Sequence, residues 1–162
     1  MLKISPIQPD QVTAAKRVIY TVAREIFHDQ EPLETMIAIC EARGELADLD
    51  DIQRNYFENG GTFLVMMDDD RVIGTGALRW LGTGVCELKR LWFYQEYHGQ
   101  GLGYRMVQEL FTIARAKGYT TIRLETDRLR QTQAIAFYKK LGFTEIPRYG
   151  DDPGELALER PL

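Results

Sequence analysis

A glycine-rich turn in the middle of the chain is suited to binding a phosphate. Gly99, Gly101 and Gly103 follow a strand-like segment and open a helical one. Glycine adopts backbone conformations that are costly for other residues, and the first N–H groups of a helix have no partner within it. Those donors and the positive end of the helix dipole stabilise an anion. The pattern predicts a phosphate or pyrophosphate site, and a purely structural tight turn is the alternative.

Two nucleotide-binding motifs fit this turn poorly. A Walker loop requires a lysine followed by a hydroxyl residue, and both are missing here. A dinucleotide fingerprint counted from Gly101 and Gly103 would need Gly or Ala where Met106 stands, although the acidic Glu125 does follow about 20 residues later. ATP hydrolysis and dinucleotide binding are therefore disfavoured.

The hydrophobic pattern predicts the elements that position this turn. Early helical periodicity gives way to a hairpin around the acidic turn at 68–70, then to a further strand, and finally to alternating helix and strand. An antiparallel meander followed by one crossover predicts a mixed sheet of α+β or α/β class. The predicted helices cover 12–27, 33–42, part of 46–57, 101–117 and 132–141, and the other predicted strands cover 2–7, 85–94, 121–126, a segment from 143, and 155–159.

The strand before the glycine turn contains an irregularity. Leu88 points to one face, whereas Leu91 and Phe93 point to the other, so the apolar alternation slips between them. Because strand side chains alternate strictly, a slip of this kind predicts a β-bulge near Lys89 to Leu91.

Composition restricts the class of protein. The 162 residues favour one domain, 1–162, and 44% hydrophobic with 27% charged residues is typical of a globular chain. The net charge of −4 argues against nucleic acid as a partner, since nucleic-acid binders usually carry a basic excess. Neither a signal-peptide run nor a segment of ~18 apolar residues is visible, so we expect a cytoplasmic protein with no membrane partner.

Metal and disulfide chemistry are not expected. Cys40 and Cys86 have neither the number nor the spacing of a disulfide framework or a zinc site. His28 and His98 are too isolated in the sequence to suggest a metal site.

Two motifs at the expected separation resemble a known family. The turn reads His98-Gly99-Gln100-Gly101-Leu102-Gly103, and a second segment, 131–143, reads QTQAIAFYKKLGF. Together they resemble the GNAT superfamily of acyl-CoA-dependent N-acyltransferases, with the resemblance running from about Thr62 to Phe143. Family members carry Arg/Gln-x-x-G-x-G/A in the turn and an Asn before A-I-x-F/L-Y-x-K-x-G-F. Here His98 replaces the Arg or Gln, and Gln131 replaces the Asn.

The resemblance implies an α/β/α sandwich whose central sheet is mostly antiparallel, with about six to seven strands and helices on both faces. It also implies acetyl-CoA as co-substrate, with its pyrophosphate on the turn and its pantetheine arm paired to exposed strand backbone like an added strand. The residues implied to bind the coenzyme are Leu91, Trp92, Phe93, His98, Gly99, Gln100, Gly101, Leu102, Gly103, Tyr104, Gln131 and Phe137.

Acetyl transfer to an amine requires a base, because an alkyl amine is mostly protonated near pH 7. The resemblance implies that Glu87 is this base, the alternative being a strand-face acid paired with Lys89 or Arg123. It implies that Tyr138 protonates the departing thiolate, the alternative being a core aromatic beside Phe137. Cys86 adjoins no histidine and should face the sheet core, which argues against a covalent acyl carrier.

The implied function is direct transfer of an acetyl group to a primary amine of a small molecule or peptide. A non-catalytic acyl-CoA-binding or sensor module on the same fold is the alternative, although pure binding requires neither Glu87 nor Tyr138. Dimers are common in the family, so the resemblance also admits a homodimer. Side chains considered for lining the acceptor site are Tyr20, Arg24, Phe27, His28, Trp80, Arg90 and Tyr149.

Overall fold

A mixed sheet of seven strands, in the order β1-β2-β3-β4-β5-β7-β6, runs through the molecule. The structure is a computed structural model that describes all residues from 1 to 162. Its strands are β1 (Leu2–Pro6), β2 (Thr62–Asp68), β3 (Arg71–Gly82), β4 (Val85–Phe93), β5 (Thr121–Asp127), β6 (Thr144–Ile146) and β7 (Glu155–Pro161). Its helices are α1 (Val12–Ile26), α2 (Leu33–Ala42), α3 (Leu102–Ala116) and α4 (Thr132–Lys140).

Each face of the sheet is covered by helices, as the predicted α+β class requires. On one face, α3 buries Leu102, Met106 and Leu110, which recur every four residues along one side of the helix. On the other face, α1 buries Ala15, Val18 and its neighbours against the opposite side of the same strands. The sheet therefore separates two apolar cores.

β4 carries the predicted bulge. Thr75 of β3 faces Trp92 of β4, yet Ala77 faces Lys89, so β4 contains one more residue than β3 over this stretch. The extra residue is Arg90, whose φ of +56° lies in the left-handed region. The prediction of a β-bulge from the slipped apolar alternation is confirmed.

β4 and β5 separate soon after they meet. The two strands are parallel and pair only from Val85 with Thr121 to Glu87 with Arg123. Beyond these pairs the backbone groups of β4 that face β5 have no strand partner. We call this opening the β4–β5 gap.

The segment before β2 departs from the sequence prediction. A helix was expected within 46–57, but the chain forms a 3₁₀ turn at Ala47–Leu49 and a π-helical turn at Gln53–Phe57. Buried Leu49, Ile52 and Tyr56 recur at helical spacing, which explains the prediction. Asp51 accepts a hydrogen bond from the backbone N–H of Arg54, and such local bonds compete with regular helix formation.

No helix in the structure combines the length and the apolar character needed to span a bilayer.

Candidate functional site

The glycine turn and the start of α3 form an open cradle of donors. Gly99 and Gly101 have φ of +77° and +74°, so both occupy the left-handed region that favours glycine. The N–H of Arg105 bonds the carbonyl of Gly101 at 3.0 Å, which leaves the N–H groups of the three preceding helical residues, 102–104, without a helical acceptor. A Cβ at Gly99 or Gly101 would meet no heavy atom within 4 Å. The cradle is unobstructed, and its chemistry fits a diphosphate.

His98 takes a structural role at this turn. Its Nε2 donates to the carbonyl of Phe93 at 2.8 Å, which connects the turn to the end of β4. With the proton on Nε2, a neutral His98 has only an acceptor at Nδ1, so it must be protonated before it can donate to a phosphate. Nearby, Gln100 donates to the carbonyl of Glu96, and Tyr104 is 53% exposed.

The backbone beyond the bulge presents alternating groups to the β4–β5 gap. The N–H of Tyr94 bonds the carbonyl of Ile73 on β3 at 3.1 Å. Because successive residues of a strand direct their backbone groups to opposite sides, Phe93 and Leu91 face the gap, whereas Trp92 faces β3. Two of the three predicted edge residues therefore direct their backbone groups to the gap, and the carbonyl of Phe93 already accepts the bond from His98.

The second motif lies beside the first. A Cβ at Gly103 would lie 3.7 Å from the ring of Phe137, so α4 contacts the first turn of α3. Tyr138 is buried, with ring centroids 5.5 Å from Phe137 and 5.6 Å from Phe143. Burial alone raises the pKa of the Tyr138 phenol, so this group remains a proton donor at neutral pH. Gln131, just before α4, accepts a hydrogen bond from the hydroxyl of Thr126.

Glu87 is a buried carboxylate with two donors. Its side chain is 6% exposed, and its Oε1 accepts from Nε of Arg79 at 2.7 Å. Its Oε2 accepts from the hydroxyl of Tyr149 at 2.6 Å. The pairing partners considered in the sequence analysis were wrong, because Arg123 bonds Glu159 at 2.6 Å and Lys89 has no ion pair. Glu87 therefore lies at the start of the gap in a fixed orientation.

A second carboxylate at the gap was missed as a site residue. Glu125 lies on β5 two residues beyond Arg123, the last β5 residue paired with β4. Its Oε2 is buried and has no hydrogen-bond partner. Burial, and then the charge of Glu87, raise the pKa of the Glu125 carboxyl. The backbone of Gly150 packs so closely that a Cβ there would lie 2.2 Å from Oε1 of Glu125. Its position at the end of a predicted strand could have indicated a site residue. The sequence analysis considered Glu125 only as a possible ribose ligand of a dinucleotide.

Arg90 is clamped at the bulge. Its guanidinium bonds Asp48 twice, with Nε–Oδ2 at 3.0 Å and Nη2–Oδ1 at 2.7 Å. Tyr56 also donates to Asp48, and the hydroxyl of Thr75 donates to the carbonyl of Arg90 at 2.6 Å. Burial opposes ionisation of Asp48, but the bonds and charge of Arg90 outweigh it and lower the pKa of that carboxyl. These contacts hold the strained backbone in place.

The other side chains considered for the acceptor site have varied surroundings. Tyr20 donates to Glu41 of α2 at 2.6 Å, and Trp80 is 50% exposed. Arg24 donates to the carbonyl of Glu31, Phe27 lies under the guanidinium of Arg130, and His28 has φ of +52°. Tyr149 is the one of these side chains that bonds Glu87.

Cys86 is fully buried within the sheet, as predicted. Burial raises the pKa of its thiol to about 12, so the thiol is a poor nucleophile. The structure also contains no group of three or more His, Cys, Asp or Glu side chains arranged to hold a metal ion.

Comparison with solved structures identifies the fold. A PaiA N-acetyltransferase from Thermoplasma acidophilum in complex with coenzyme A superposes with a TM-score of 0.82 over 100% of this chain and 99% of that one, at 21% identity. A GNAT-family acetyltransferase from Staphylococcus aureus Mu50 superposes with a TM-score of 0.84 over 99% of both chains, at 19% identity. At such identities the likeness establishes the fold alone.

Proteins related in sequence give evidence of the family as well as of the fold. The chain is 35% identical over 105 residues to the IAA acetyltransferase of Azospirillum brasilense, covering 62% of this chain and 67% of the relative. It is 31% identical over 126 residues to the mouse probable N-acetyltransferase family 8 member 5, covering 75% of this chain and 53% of the relative. The chain thus spans about half the length of the mouse protein.

The family comparison covers most of the chain. Residues 20–143 match the acetyltransferase (GNAT) family, a family of acyltransferase enzymes. This range contains the glycine turn, the β4–β5 gap and the α4 motif. The chain therefore belongs to the GNAT acetyltransferase family.

Proposed function

We propose that this protein transfers the acetyl group of acetyl-CoA directly to a primary amine of a small molecule or peptide. The observation that carries the proposal is that the open donor cradle at Gly101 directly follows the end of β4 that borders the β4–β5 gap. Glu87 lies at the start of this gap, and Tyr138 lies on the helix that contacts the first turn of α3. The coenzyme A complex of the Thermoplasma neighbour and the N-acetyltransferase names of the relatives support it.

Each part of the coenzyme has residues suited to hold it. The free N–H groups at 102–104 would bind the diphosphate, with Gly99 and Gly101 giving it room. The gap-facing backbone of Leu91 and Phe93 would pair with the pantetheine arm. Bound acetyl-CoA supplies an activated acetyl group and a thiolate leaving group.

The transfer forms a nitrogen–carbon bond and breaks the carbon–sulfur bond. Glu87, directly or through a water molecule, would accept the proton that the amine loses. A gap-facing N–H would stabilise the carbonyl oxygen as negative charge develops on it. Tyr138 would donate its proton to the sulfur, and exchange with solvent would restore both residues.

The cradle can be tested through Gly103, which has an ordinary helical φ and room for a side chain. In Gly103→Asp, the carboxylate favours the helix N-terminus and so raises stability by about 0.5 to 1 kcal/mol, whereas it repels a diphosphate. We expect calorimetry to show at least about tenfold weaker CoA binding, a loss of about 1.4 kcal/mol. Gly103→Ala is the matched control, because the family motif permits Ala there, and it should bind like the parent. Equal affinity in the parent and in Gly103→Asp would contradict the cradle.

An amine panel tests the enzymatic part of the proposal. Release of free CoA thiol, with mass spectrometry of the product, should reveal an acetylated amine. A protein that binds acetyl-CoA but acetylates no amine would instead be the non-catalytic acyl-CoA-binding module.

A further inference from the structure

Lys89 is a cation beside Glu87 that forms no ion pair. The two side chains lie two residues apart on β4 and therefore share a face of the strand. Around Lys89, Arg79 is paired with Glu87 at 2.7 Å and Arg90 is paired with Asp48 at 2.7 Å. These four charges cancel in pairs, and Lys89 forms no ion pair. These five side chains therefore sum to a charge of about +1, and the carboxylates of Glu125 on β5 and Glu155 on β7 lie outside this set, within electrostatic range of Glu87. An anion bound to Lys89 would neutralise the local positive charge.

Lys89 lines a small polar cavity. The cavity has a volume of about 340 Å³. Its remaining walls are Ala47, Asp48, Asn55, Tyr56, Asn59 and Arg79. Asp48 would repel an anion if it were free, but two hydrogen bonds from Arg90 compensate its charge. Arg79 uses only Nε toward Glu87, so its terminal N–H groups remain available.

The position of Lys89 disfavours its charged form, and a bound anion would stabilise that form. Burial, and then the charges of Arg79 and Arg90, lower the pKa of the Lys89 ammonium, while Glu87 and Asp48 act in the opposite direction. A negatively charged group in the cavity would compensate the desolvated cation and accept its hydrogen bonds.

The cavity is close to the reaction site. Glu87 is the last residue of β4 that pairs with β5, and Lys89 follows two residues later, where the gap has opened. A ligand whose anionic group contacts Lys89 can therefore place a neighbouring amine beside Glu87 and the gap.

We propose that Lys89, assisted by Arg79, binds a carboxylate of the acceptor, so that the substrate is an amine that also carries a carboxylate, such as an amino acid. This inference rests on the proposed function and adds the substrate class. The amine of such an acceptor faces the carboxylates of Glu87 and Glu125, and its own carboxylate faces the unpaired ammonium.

Matched acceptor pairs test the inference. Each amino acid is compared with its own amide, which keeps the amine and removes the negative charge. We expect the wild type to favour the acids at least about tenfold in kcat/KM, as a hydrogen-bonded charge pair implies. In Lys89→Met the preference should fall below about twofold, mainly through a higher KM for the acids, and Lys89→Arg should restore part of it. Lys117→Met, which removes an exposed lysine after α3, is the control and should keep the wild-type preference.

A binding measurement provides a readout besides turnover. Calorimetric titration of an N-acetyl amino acid into the CoA-saturated protein should show at least about tenfold weaker binding for Lys89→Met than for Lys117→Met. Equal use of acids and amides by the wild type would overturn the inference while leaving acetyl transfer intact. Mass spectrometry showing that Lys89 itself becomes acetylated would also overturn it. Absence of both CoA binding and acetylation of any amine would defeat the proposed function itself.

Discussion

Two donors from distant parts of the chain hold the carboxylate of Glu87. Arg79 is contributed by the neighbouring strand β3, and Tyr149 by the loop before β7. With one donor on each oxygen, the carboxylate keeps its orientation while further lone pairs remain for an amine or a water molecule. Glu125 has fewer hydrogen-bond donors, because its Oε2 is buried without a partner. The two acids therefore differ in how much their surroundings stabilise the charged form.

Glu125→Gln should stabilise the protein at neutral pH. The pKa of the Glu125 carboxyl is raised in the folded state, so its ionised form is disfavoured there. That penalty is present above the folded pKa, declines as the pH falls through it, and is absent below the ordinary value of 4.5. Urea unfolding should show Glu125→Gln more stable than wild type at pH 8, with the difference shrinking toward pH 4. Glu109→Gln, at an exposed site on α3, is the control and should show no such trend.

Tyr138→Phe should slow turnover without weakening coenzyme binding. The substitution keeps the buried ring against Phe137 and Phe143 and removes only the proton donor. We expect kcat to fall about 10²-fold or more, as is typical for loss of general acid catalysis, while the Kd for CoA changes less than about twofold. Tyr119→Phe is a suitable control, because its hydroxyl donates to the carbonyl of Gly60 and not to the site. Similar kcat values for both variants would remove the role assigned to Tyr138.

At the scale of elements, the bulge in β4 could be predicted from the sequence, but the contacts between Arg90 and Asp48 that hold it could not. The slipped alternation from Leu88 to Leu91 is a local signal, readable within a few residues. Arg90 and its partner Asp48 are separated by 42 positions, and Asp48 lies in the segment that had been predicted as a helix. A contact of this kind depends on how the early loop folds over the sheet, which hydrophobic periodicity does not encode. The same limit applies to Arg79 and Tyr149 around Glu87.

Substitutions at Arg90 distinguish the effect of backbone strain on stability from the effect of the contacts with Asp48. Glycine accepts the φ of +56° without strain, whereas alanine does not, and both remove the contacts with Asp48. We expect Arg90→Ala to unfold at lower urea than Arg90→Gly, with a difference of about 1 to 2 kcal/mol. If the bulge positions the gap, Arg90→Ala should also bind CoA more weakly than Arg90→Gly. Equal stability of the two variants would show that the left-handed backbone is not retained.

At the scale of the whole molecule, one sheet between two cores leaves a gap where β4 and β5 separate. The class of fold and the helices that cover the sheet could be predicted from periodicity, because burial on one face imposes a regular spacing. The position of the gap could be inferred only through the family resemblance. β4 pairs with β5 only from Val85 to Glu87, and this pairing depends on the tertiary structure. The spacing of residues within β4 does not indicate where β5 separates from it.

Coenzyme binding should stabilise the whole fold, because a ligand in the gap connects β4, α3 and α4. A ligand at 100 times its Kd adds about 2.7 kcal/mol to the free energy of unfolding, which corresponds to a Tm increase of about 5 to 10 °C for a chain of this size. Hydrogen exchange should slow at the gap-facing residues Leu91 and Phe93 of β4 and at the start of α3. The Gly103→Asp variant binds CoA at least about tenfold more weakly, so at the same CoA concentration both effects should be smaller, with a gain of at most about 1.4 kcal/mol. A rise in Tm of the same size in that variant would mean that CoA stabilises the protein from some other surface.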